Sequence, residues 1–353
     1  MDIREITGVA DIILTGAAEK PDAEILVFEG RRITWAEMRE RAARVANALT
    51  ADGIGPRDRV AYLDKNEVEY FELAFGCSFI KAVAVAVNWR LAPPEMSYII
   101  NDAEATVLVI HEEFAGQLAA FEADLTHTTR IVVIGSHDTH VSYDEWRDAQ
   151  SSACDPLPPA GDDVSMQLYT SGTTGLPKGA RLTSRNLFMN NLQANVFYGY
   201  RTGEETVASA FPLFHIGGAA VVFNALRTAS TFLLIPDPRD IDHFVAEMTA
   251  RTPTVLAAVP ALYQVLCANE TFWSLDFSGL RMAISGAAPF AKEEVQRLES
   301  VIGKNKFCEV YGMTETSPVI TLNPASHFKE CHVGIPLPGT DVRIVDVDTG
   351  KTM

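Results

Sequence analysis

The chain has 353 residues, of which 47% are hydrophobic, so it can bury a large core and is long for one compact unit. Its formal net charge of −17 argues against binding nucleic acid or an anionic membrane surface, so any phosphate-binding site must be local. Five scattered cysteines without CxxC spacing fit a reducing cytoplasm and no zinc site.

The first half of the chain shows helix and strand signals without an export or membrane signal. The N-terminal residues include early acids and no long apolar core, unlike a signal peptide. Residues 34–37 match a capping box and predict a helix to about Leu49. The apolar run 74–87 is too short to span a membrane. Residues 150–163, rich in proline and small polar residues, predict the connection between two lobes. The predicted units are 1–160, 161–325 and 326–353.

Residues 169–179, YTSGTTGLPKG, predict a loop that wraps a polyphosphate; we call this segment the phosphate loop. Apolar residues 164–169 predict a strand before it, and 179–183 a strand after it, with Thr183 or Ser184 capping a helix to about Tyr200. Glycines allow successive N–H groups to point at one anion, and hydroxyls and a lysine add donors. The predicted phosphate-binding residues are Thr170, Ser171, Gly172, Thr173, Thr174, Gly175 and Lys178.

Two other interpretations of this loop are weaker. A Walker P-loop needs an N–H where Pro177 stands and a metal-binding hydroxyl where Gly179 stands, so the chemistry does not fit. A surface loop without function is disfavoured because generic linkers rarely place lysine and proline inside a run bounded by strands.

The phosphate loop resembles the phosphate-binding motif of the adenylate-forming superfamily, which includes acyl-CoA synthetases, luciferases and peptide-synthetase adenylation domains. Three more segments resemble the family in the same order: ISGAAP at 284–289, YGMTE at 311–315 and VGIPLPG at 333–339. Residues 33–49 and 81–91 agree more loosely. The resemblance implies two similar α/β lobes with mainly parallel sheets flanked by helices, followed by the start of a β-barrel-like element.

The resemblance also assigns roles around ATP. It implies that 284–289 lies along the adenine and that 311–315 holds the α-phosphate and Mg²⁺. Glu315 is a hard oxygen ligand suited to Mg²⁺, and Thr314 can donate to a phosphoryl oxygen. The strand predicted at 306–310 would place both at its carboxyl end, where open α/β sheets bind ligands. The further nucleotide-binding residues expected are Gly286, Ala287, Ala288, Pro289, Tyr311, Gly312 and Met313, and the catalytic ones are Lys178, Thr314 and Glu315.

The segment FPLFHIGG at 211–218 resembles the family's acyl-pocket motif. Amino-acid-activating relatives carry an aspartate in this region for the substrate amine, whereas residues 208–235 contain no acid. A buried ammonium without a partner is costly, so a simple carboxylic acid is favoured. Apolar residues 219–226 and 254–262 could line an acyl tunnel or belong to the core. The predicted substrate-binding residues are Phe214, His215, Gly217, Ser285, Gly286 and Tyr311.

The resemblance therefore implies an acid–thiol ligase that activates a carboxylic acid, expected to be a fatty acid, with ATP and Mg²⁺ before transfer to coenzyme A. An adenylating enzyme with another acceptor, such as a carrier protein, and a non-catalytic acyl or nucleotide binder stay open as alternatives, as does a homodimer. No nucleic-acid partner and no transmembrane segment are expected, and a cytoplasmic location fits.

The last residues depart from the family pattern. Relatives continue into a ribose-binding aspartate, a hinge and a small C-terminal domain with a lysine, and no segment here matches these. Residues 342–347 and the turn-like 348–350 predict a hairpin interrupted near its tip. We therefore expect the N-terminal ATP- and acyl-binding portion of a longer enzyme, with the small C-terminal domain absent and adenylation weak or undetectable in this chain alone.

Overall fold

The computed structural model describes residues 6–171, 175–330 and 332–353. Within these ranges the chain forms two β-sheets flanked by helices, which confirms the predicted α/β class with two mainly parallel sheets. Every helix described there is too short or too polar to span a bilayer.

The strands are β1 Glu24–Phe28, β2 Arg31–Thr34, β3 Arg59–Leu63, β4 Val83–Ala86, β5 Ala105–His111, β6 Arg130–Ile134, β7 Val141–Ser142, β8 Val164–Thr170, β9 Lys178–Thr183, β10 Thr206–Ser209, β11 Thr231–Leu234, β12 Val255–Ala257, β13 Met282–Ser285, β14 Phe307–Gly312, β15 Val319–Asn323 and β16 Ile335–Pro336. The helices are α1 Val9–Glu19, α2 Trp35–Ala51, α3 Val68–Phe79, α4 Pro93–Asp102, α5 Ala115–Phe121, α6 Tyr143–Asp148, α7 Ser184–Tyr198, α8 Ile216–Arg227, α9 Ile241–Ala250, α10 Pro260–Leu266, α11 Glu270–Ser274 and α12 Lys292–Ile302.

The first sheet has seven strands in the spatial order β7-β6-β5-β3-β4-β8-β9. All neighbouring pairs are parallel except β8 with β9, which is antiparallel. Strand β4 (VAVA) is buried along its whole length, as expected for a parallel strand covered by helices on both faces. Its apolar sequence therefore places it in the middle of the sheet, between β3 and β8.

The second sheet has nine strands in the order β16-β15-β14-β13-β12-β10-β11-β1-β2. Its central pairs from β14 to β1 are parallel, and antiparallel strands close both ends. The carboxyl ends of β10, β13 and β14 consequently lie along one edge of the sheet, and the segments predicted to bind acid and nucleotide follow these three strands.

Each sheet contains strands from both sides of the predicted domain boundary at residue 160. Strands β1 and β2 belong to the second sheet, although they lie early in the chain. Strands β8 and β9, which bound the phosphate loop, complete the first sheet instead of starting the second. The reason is that β8 pairs with the buried strand β4 across 77 intervening residues, and a pairing of this kind leaves no local signal in the sequence.

Helices α3 and α8 pack between the two sheets. The Phe75 and Phe223 rings meet edge to face with centroids 6.4 Å apart, and the Phe71 ring lies 6.4 Å from that of Phe232 on β11. All four side chains are buried. Aromatic burial of this size is the main source of stabilisation between packed layers, so the two sheets share one core.

The hydroxyl caps predicted for α2 and α7 are present, but at α2 the Glu37 carboxylate pairs with Arg41 at 2.6 Å instead of completing a capping box. The Thr34 hydroxyl accepts a hydrogen bond from the Glu37 N–H at 3.1 Å and begins α2. The Thr183 hydroxyl accepts one from the Asn186 N–H at 3.2 Å and begins α7 directly after β9. Each bond satisfies one of the free N–H groups of a helical first turn.

The end of the chain has little regular structure. The turn predicted at 348–350 is present, because the Gly350 N–H donates to the Asp346 carbonyl at 2.8 Å. The strand predicted at 342–347 is reduced to a single bridge between Val345 and Thr352. Val347 is 96% exposed, so these residues bury no apolar face that would favour a longer strand.

Candidate functional site

The phosphate loop connects the antiparallel strands β8 and β9 at the edge of the first sheet. Thr170 at the end of β8 pairs directly with Lys178 at the start of β9, and Lys178 is exposed. Three of the predicted phosphate-binding residues, Gly172, Thr173 and Thr174, lie outside the described residues. The strand ends therefore fix where the loop begins and ends.

Helix α4 anchors both ends of the phosphate loop. The Tyr169 hydroxyl donates to the Asp102 carboxylate at 2.6 Å, and the Tyr98 hydroxyl donates to the Pro177 carbonyl at 3.3 Å. Burial and the Asp102 carboxylate raise the pKa of Tyr169, so this side chain remains a hydroxyl donor at neutral pH. Two tyrosines on neighbouring elements thus hold the loop against the first sheet.

A hydrogen bond between the two sheets joins the phosphate loop to the predicted metal ligand. The Thr170 hydroxyl donates to Oε1 of Glu315 at 3.1 Å, although the two residues are 145 positions apart in the chain. Glu315 lies in a one-turn 3₁₀ helix, Thr314–Thr316, which follows β14. The structure therefore brings together the two segments that the sequence analysis assigned to phosphate and Mg²⁺.

The turn that carries Glu315 is held by its own backbone. The Met313 N–H donates to the Pro318 carbonyl at 3.0 Å, and the Thr316 hydroxyl donates to the same carbonyl at 2.7 Å. The Asn190 side chain of α7 then bonds both backbone groups of Val319, with its Nδ2 donating at 2.7 Å and its Oδ1 accepting at 3.1 Å. These contacts position the turn between β14 and β15 before any ligand binds.

The segment predicted to lie along adenine follows β13 and passes close to β14. A Cβ added to Gly286 would lie 2.7 Å from Cγ2 of Val310, so only glycine allows this approach. Ala287 adopts a φ of 71°, in the left-handed region that a residue with a Cβ rarely occupies. Tyr311 and Met313 on the neighbouring strand end are 46% and 45% exposed. Flat or apolar surface is thus presented where the sequence predicts that a base binds.

The predicted acyl segment follows β10 and begins α8. His215 is the residue before the first turn of α8 and faces the cleft, with its ring 4.6 Å from that of the buried Phe214. The His215 side chain is exposed and lines the cleft. Desolvation by the surrounding protein, with repulsion from Arg90, lowers the pKa of His215 and favours the neutral imidazole.

A cleft of about 440 Å³ connects these segments. The predicted site residues that line it are Thr170, Ser171, Gly175, Phe214, His215 and Thr314. Gly217 lines a separate cavity, and Ser285 is completely buried at the end of β13. The sheets therefore bring the phosphate loop, the turn after β14 and the acyl segment around one opening, whereas Gly217 and Ser285 do not line it.

Asn66 was missed by the sequence analysis and positions the acyl segment. It follows β3 in the first sheet, is 3% exposed, and reaches the second sheet. Its Nδ2 donates to the carbonyls of Phe211 at 3.3 Å and Ile235 at 3.0 Å, and its Oδ1 accepts from the Leu213 N–H at 2.9 Å. No local pattern distinguishes this asparagine, because all three partners lie about 150 residues away.

A cationic and aromatic cluster beside Phe214 was also missed. The guanidinium groups of Arg90 and Arg239 lie 4.9 Å and 4.8 Å from the centre of the Trp89 ring, and Arg90 is 5.7 Å from that of Phe214. Asp237 pairs with Arg239, whereas Arg90 is exposed. Partial burial and the nearby Arg239 lower the pKa of Arg90. The signal in the sequence is the tryptophan followed by an arginine at 89–90, within the segment 81–91.

The carboxylate of Glu315 is the candidate protein ligand for Mg²⁺. No group of three His, Cys, Asp or Glu side chains that could hold a metal occurs among residues 6–171, 175–330 and 332–353. Mg²⁺ usually takes one or two carboxylates and completes its shell with water and substrate phosphates. A single exposed carboxylate at the end of β14, beside the phosphate loop, fits that kind of shared site.

Comparisons with known proteins give one consistent result. A family model described as AMP-binding enzyme matches residues 14–353. The chain is 32% identical over 344 residues to the fatty acid–[acyl-carrier-protein] ligase ScoC of Streptomyces coeruleorubidus, covering 94% of this chain and 64% of that protein. It is 33% identical to a feruloyl-CoA synthase of an Amycolatopsis species, covering 93% of this chain and 64% of that protein. It is 30% identical to the long-chain-fatty-acid–CoA ligase of Yersinia pestis, with 99% and 67% covered.

Solved structures agree on the fold. The anthranilate CoA ligase AuaEII in complex with anthranoyl-AMP superposes with a TM-score of 0.93 at 24% identity, covering all of this chain and 69% of that one. The N-terminal domain of FACL13 from Mycobacterium tuberculosis superposes with a TM-score of 0.88 at 26% identity, covering 99% of this chain and 86% of that one. The chain thus spans about two thirds of the length of the curated relatives that it matches.

Proposed function

Because the chain belongs to the AMP-binding enzyme family, we propose that it forms the ATP- and acid-binding portion of an AMP-forming acid–thiol ligase. The substrate is a carboxylic acid without an amine, within the fatty-acid class expected from the sequence. The observation that carries the proposal is the Thr170–Glu315 hydrogen bond, which joins the phosphate loop to the turn after β14 at the cleft that His215 faces.

The reaction has two displacements. A carboxylate oxygen of the acid attacks the α-phosphorus of ATP, the bond to the β-phosphate bridging oxygen breaks, and pyrophosphate leaves with its electron pair. A thiol, after losing its proton, then attacks the carbonyl carbon of the acyl-adenylate, and AMP leaves. The product is a thioester.

The first step brings two anions together, and the site must compensate their repulsion. Two unit charges about 4 Å apart repel by roughly 4 kcal/mol at a surface-like effective dielectric, which is about a thousandfold in rate. Lys178 and the donors of the phosphate loop supply positive charge on one side of the cleft, and Thr314 supplies a hydroxyl on the other. Glu315 would hold Mg²⁺, which supplies charge to the phosphate oxygens when bound. Stabilisation is therefore electrostatic and positional.

His215 and Arg90 act on the acid. Neutral His215, which lines the cleft, can orient the acyl group and leave room for the incoming thiol without adding a competing cation. The exposed Arg90, whose guanidinium lies 5.7 Å from the ring of the cleft-lining Phe214, can attract the substrate carboxylate or the acceptor. The relatives include several CoA ligases and one acyl-carrier-protein ligase. CoA is therefore the acceptor that we propose. Holo-acyl-carrier-protein is the alternative acceptor to compare in the same assay.

Ligand binding tests the proposal directly, because it depends on the described site. Isothermal titration with ATP, with and without Mg²⁺, and with a non-hydrolysable acyl sulfamoyl adenosine should show saturable binding to the wild-type chain. We expect Glu315→Gln to lose the Mg²⁺-dependent part of ATP affinity, about tenfold, while the exposed Glu40→Gln variant retains it. Absence of binding by ATP, AMP and the adenylate analogue would refute the proposed function. Formation of AMP and thioester from acid, ATP and CoA is the accompanying turnover readout.

A further inference from the structure

A second, smaller cavity of about 50 Å³ is lined by Phe211 and Gly217, which stand on either side of the cleft-lining pair Phe214 and His215 in the chain. Helices α7 and α8 form two of its walls, and Ile284 on β13 and Val310 on β14 form the floor beneath the predicted adenine segment. The cavity begins at Gly217, two residues after His215, and extends along α8 to Asn224. It is therefore the space that an acyl group would reach from the cleft along α8.

Three polar side chains in this cavity have no partner. Nδ2 of Asn191, both Nδ2 and Oδ1 of Asn224, and the Tyr200 hydroxyl are buried without a hydrogen bond to any described residue. These residues are 3%, 2% and 6% exposed and all line the cavity. Buried polar atoms are nearly always hydrogen-bonded, because leaving them unpaired forfeits the full desolvation cost. Four such atoms around one cavity point to a ligand group that would bond them.

The neighbouring Asn190 shows what a structural asparagine looks like in the same wall. It lies next to Asn191 on α7, and both of its amide atoms bond the backbone of Val319. Asn224 has no bond of this kind, although it is equally buried. Asn190 therefore stabilises the fold, whereas the amide group of Asn224 is available to bond a substrate.

The chemistry of the lining defines the group that would bind. Among the described residues, no Asp, Glu, Lys or Arg lines the cavity, and burial raises the pKa of Tyr200, so the lining is uncharged. A charged group would lose its hydration without a counter-ion and is disfavoured. The free atoms include two amide donors, one amide acceptor and a hydroxyl that can do both. A hydroxyl or a carboxamide, which both donate and accept, matches this set.

The size of the cavity limits the group further. One water needs roughly 10–15 Å³, and an engineered cavity that binds benzene is about 150 Å³. A cavity of about 50 Å³ therefore accommodates a small polar end group and not a further ring or a long apolar tail.

We propose that this cavity receives the end of the acyl group, and that Asn224, together with Asn191 and Tyr200, selects carboxylic acids that carry an uncharged hydroxyl or carboxamide. The inference rests on the proposed function and narrows its substrate class. Asn224 is the specificity-determining residue, since both of its amide atoms are free. An acid with a methyl end would leave all four polar atoms unpaired and would bind more weakly.

Matched pairs of acyl sulfamoyl adenosines test the proposal by isothermal titration. Each pair has the same number of heavy atoms and differs only in its end group, hydroxyl or methyl, and the pairs cover a series of chain lengths. At the length that reaches the cavity, we expect the hydroxyl-ended compound to bind at least tenfold more tightly. Asn224→Leu, of similar volume, should abolish this preference and improve binding of the methyl-ended compound. Tyr200→Phe, which removes one hydroxyl, should reduce the preference without affecting AMP binding.

Asn323→Leu is the matched control, because this buried asparagine also bonds backbone groups but does not line the cavity. It should lower the melting temperature, because it breaks the bonds to the backbone of Lys329 and His332, and should leave the hydroxyl-to-methyl ratio of any folded fraction unchanged. Equal affinity of both members of every pair for the wild-type chain would overturn this inference and leave the proposed function standing. Loss of binding of AMP and of every analogue would overturn both.

Discussion

Replacing Asn66 with alanine should disturb the predicted acyl segment 211–218, although Asn66 itself does not line the cleft. The Asn66 side chain makes three buried hydrogen bonds to the backbone of the second sheet, two of them to residues of the segment 211–213. His215 and Phe214 follow this segment directly. Asn66→Ala leaves two carbonyls and one N–H buried without their partner, so the segment is free to move away from β3.

The expected loss of stability follows from those bonds. At roughly 1 kcal/mol net per buried hydrogen bond, three bonds amount to about 3 kcal/mol of unfolding free energy. An unfolding entropy of roughly 2.1 cal/mol/K per residue gives about 0.7 kcal/mol per degree for this chain length. The melting temperature should therefore fall by about 4 °C, measured by scanning calorimetry at one fixed scan rate because large chains often unfold irreversibly. Affinity for the acyl sulfamoyl adenosine should fall more than affinity for AMP, since only the acyl segment loses its support.

Asn47→Ala is the matched control. Nδ2 of Asn47 also donates to two backbone carbonyls, those of Ser151 at 2.7 Å and Ala153 at 2.9 Å, but these bonds are exposed and lie away from the cleft. Water replaces them, so we expect a smaller change in melting temperature and unchanged ligand affinity. The reasoning is refuted if Asn66→Ala melts within about 1 °C of the wild type and binds the adenylate analogue equally well.

Three further variants address the nucleotide side and the pH dependence. Thr170→Val removes a hydroxyl that donates to Glu315 in the ligand-free chain and can donate to a phosphate oxygen when ATP binds; because a hydrogen bond to a charged group contributes about 1.5 kcal/mol or more, ATP affinity measured with Mg²⁺ should fall about tenfold. Gly179→Ala places a Cβ 2.5 Å from Nε2 of Gln167, and displacing this side-chain end from its hydrogen bond to the Tyr169 hydroxyl should lower the unfolding free energy, measured in urea, by about 1 kcal/mol. Burial raises the pKa of Asp64 to about 7, so its ionisation opposes folding: stability should fall from about pH 4 to about pH 7, and Asp64→Asn should reduce that slope by up to about 1.4 kcal/mol per pH unit.

Each of these variants has a control that isolates its cause. Thr170→Ser keeps the hydroxyl and should keep ATP affinity; equal loss in both variants would show that the hydrogen bond is not responsible. Gly116→Ala adds a methyl group to open space within α5 and should be neutral or slightly stabilising. Asp341→Asn makes the same change at an exposed aspartate and is the control for the loss of one carboxylate. An Asp64→Asn profile parallel to that of the wild type from pH 4 to pH 7 would contradict burial as the cause.

The sequence predicted most of the local structure at the site. The strands on either side of the phosphate loop, the strand before Tyr311 and the helix cap at Thr183 all occur within a residue or two of their predicted places. Apolar runs, turn residues and capping hydroxyls act over a few residues, so a linear sequence carries these signals in full. The resemblance to the adenylate-forming superfamily is confirmed by the family match over residues 14–353. The roles assigned to individual site residues stay predictions.

Long-range pairing was not predictable in the same way. Nothing around β8 indicates that it adds to β4 rather than to a strand of the following lobe, and nothing around Asn66 indicates partners beyond residue 210. The three polar side chains with unpaired atoms in the cavity could not be predicted either. An asparagine in a helix such as α8 is usually exposed, so the sequence does not indicate that Asn224 is buried. These features depend on which elements meet, which is a property of the whole fold.

The two contacts that join the sheets at the cleft differ in how they should respond to a ligand. Asn66 is buried and bonds only backbone, so breaking its contacts costs the desolvation of three groups and the acyl segment is fixed in place. The Thr170–Glu315 bond is exposed and joins two side chains, so water or a phosphate oxygen can replace it at little cost. The nucleotide side of the cleft can therefore rearrange on binding while the acyl side keeps its shape. Specificity for the acid should consequently be set by residues already in position, such as Asn224, and should differ little between the ligand-free and nucleotide-bound chain.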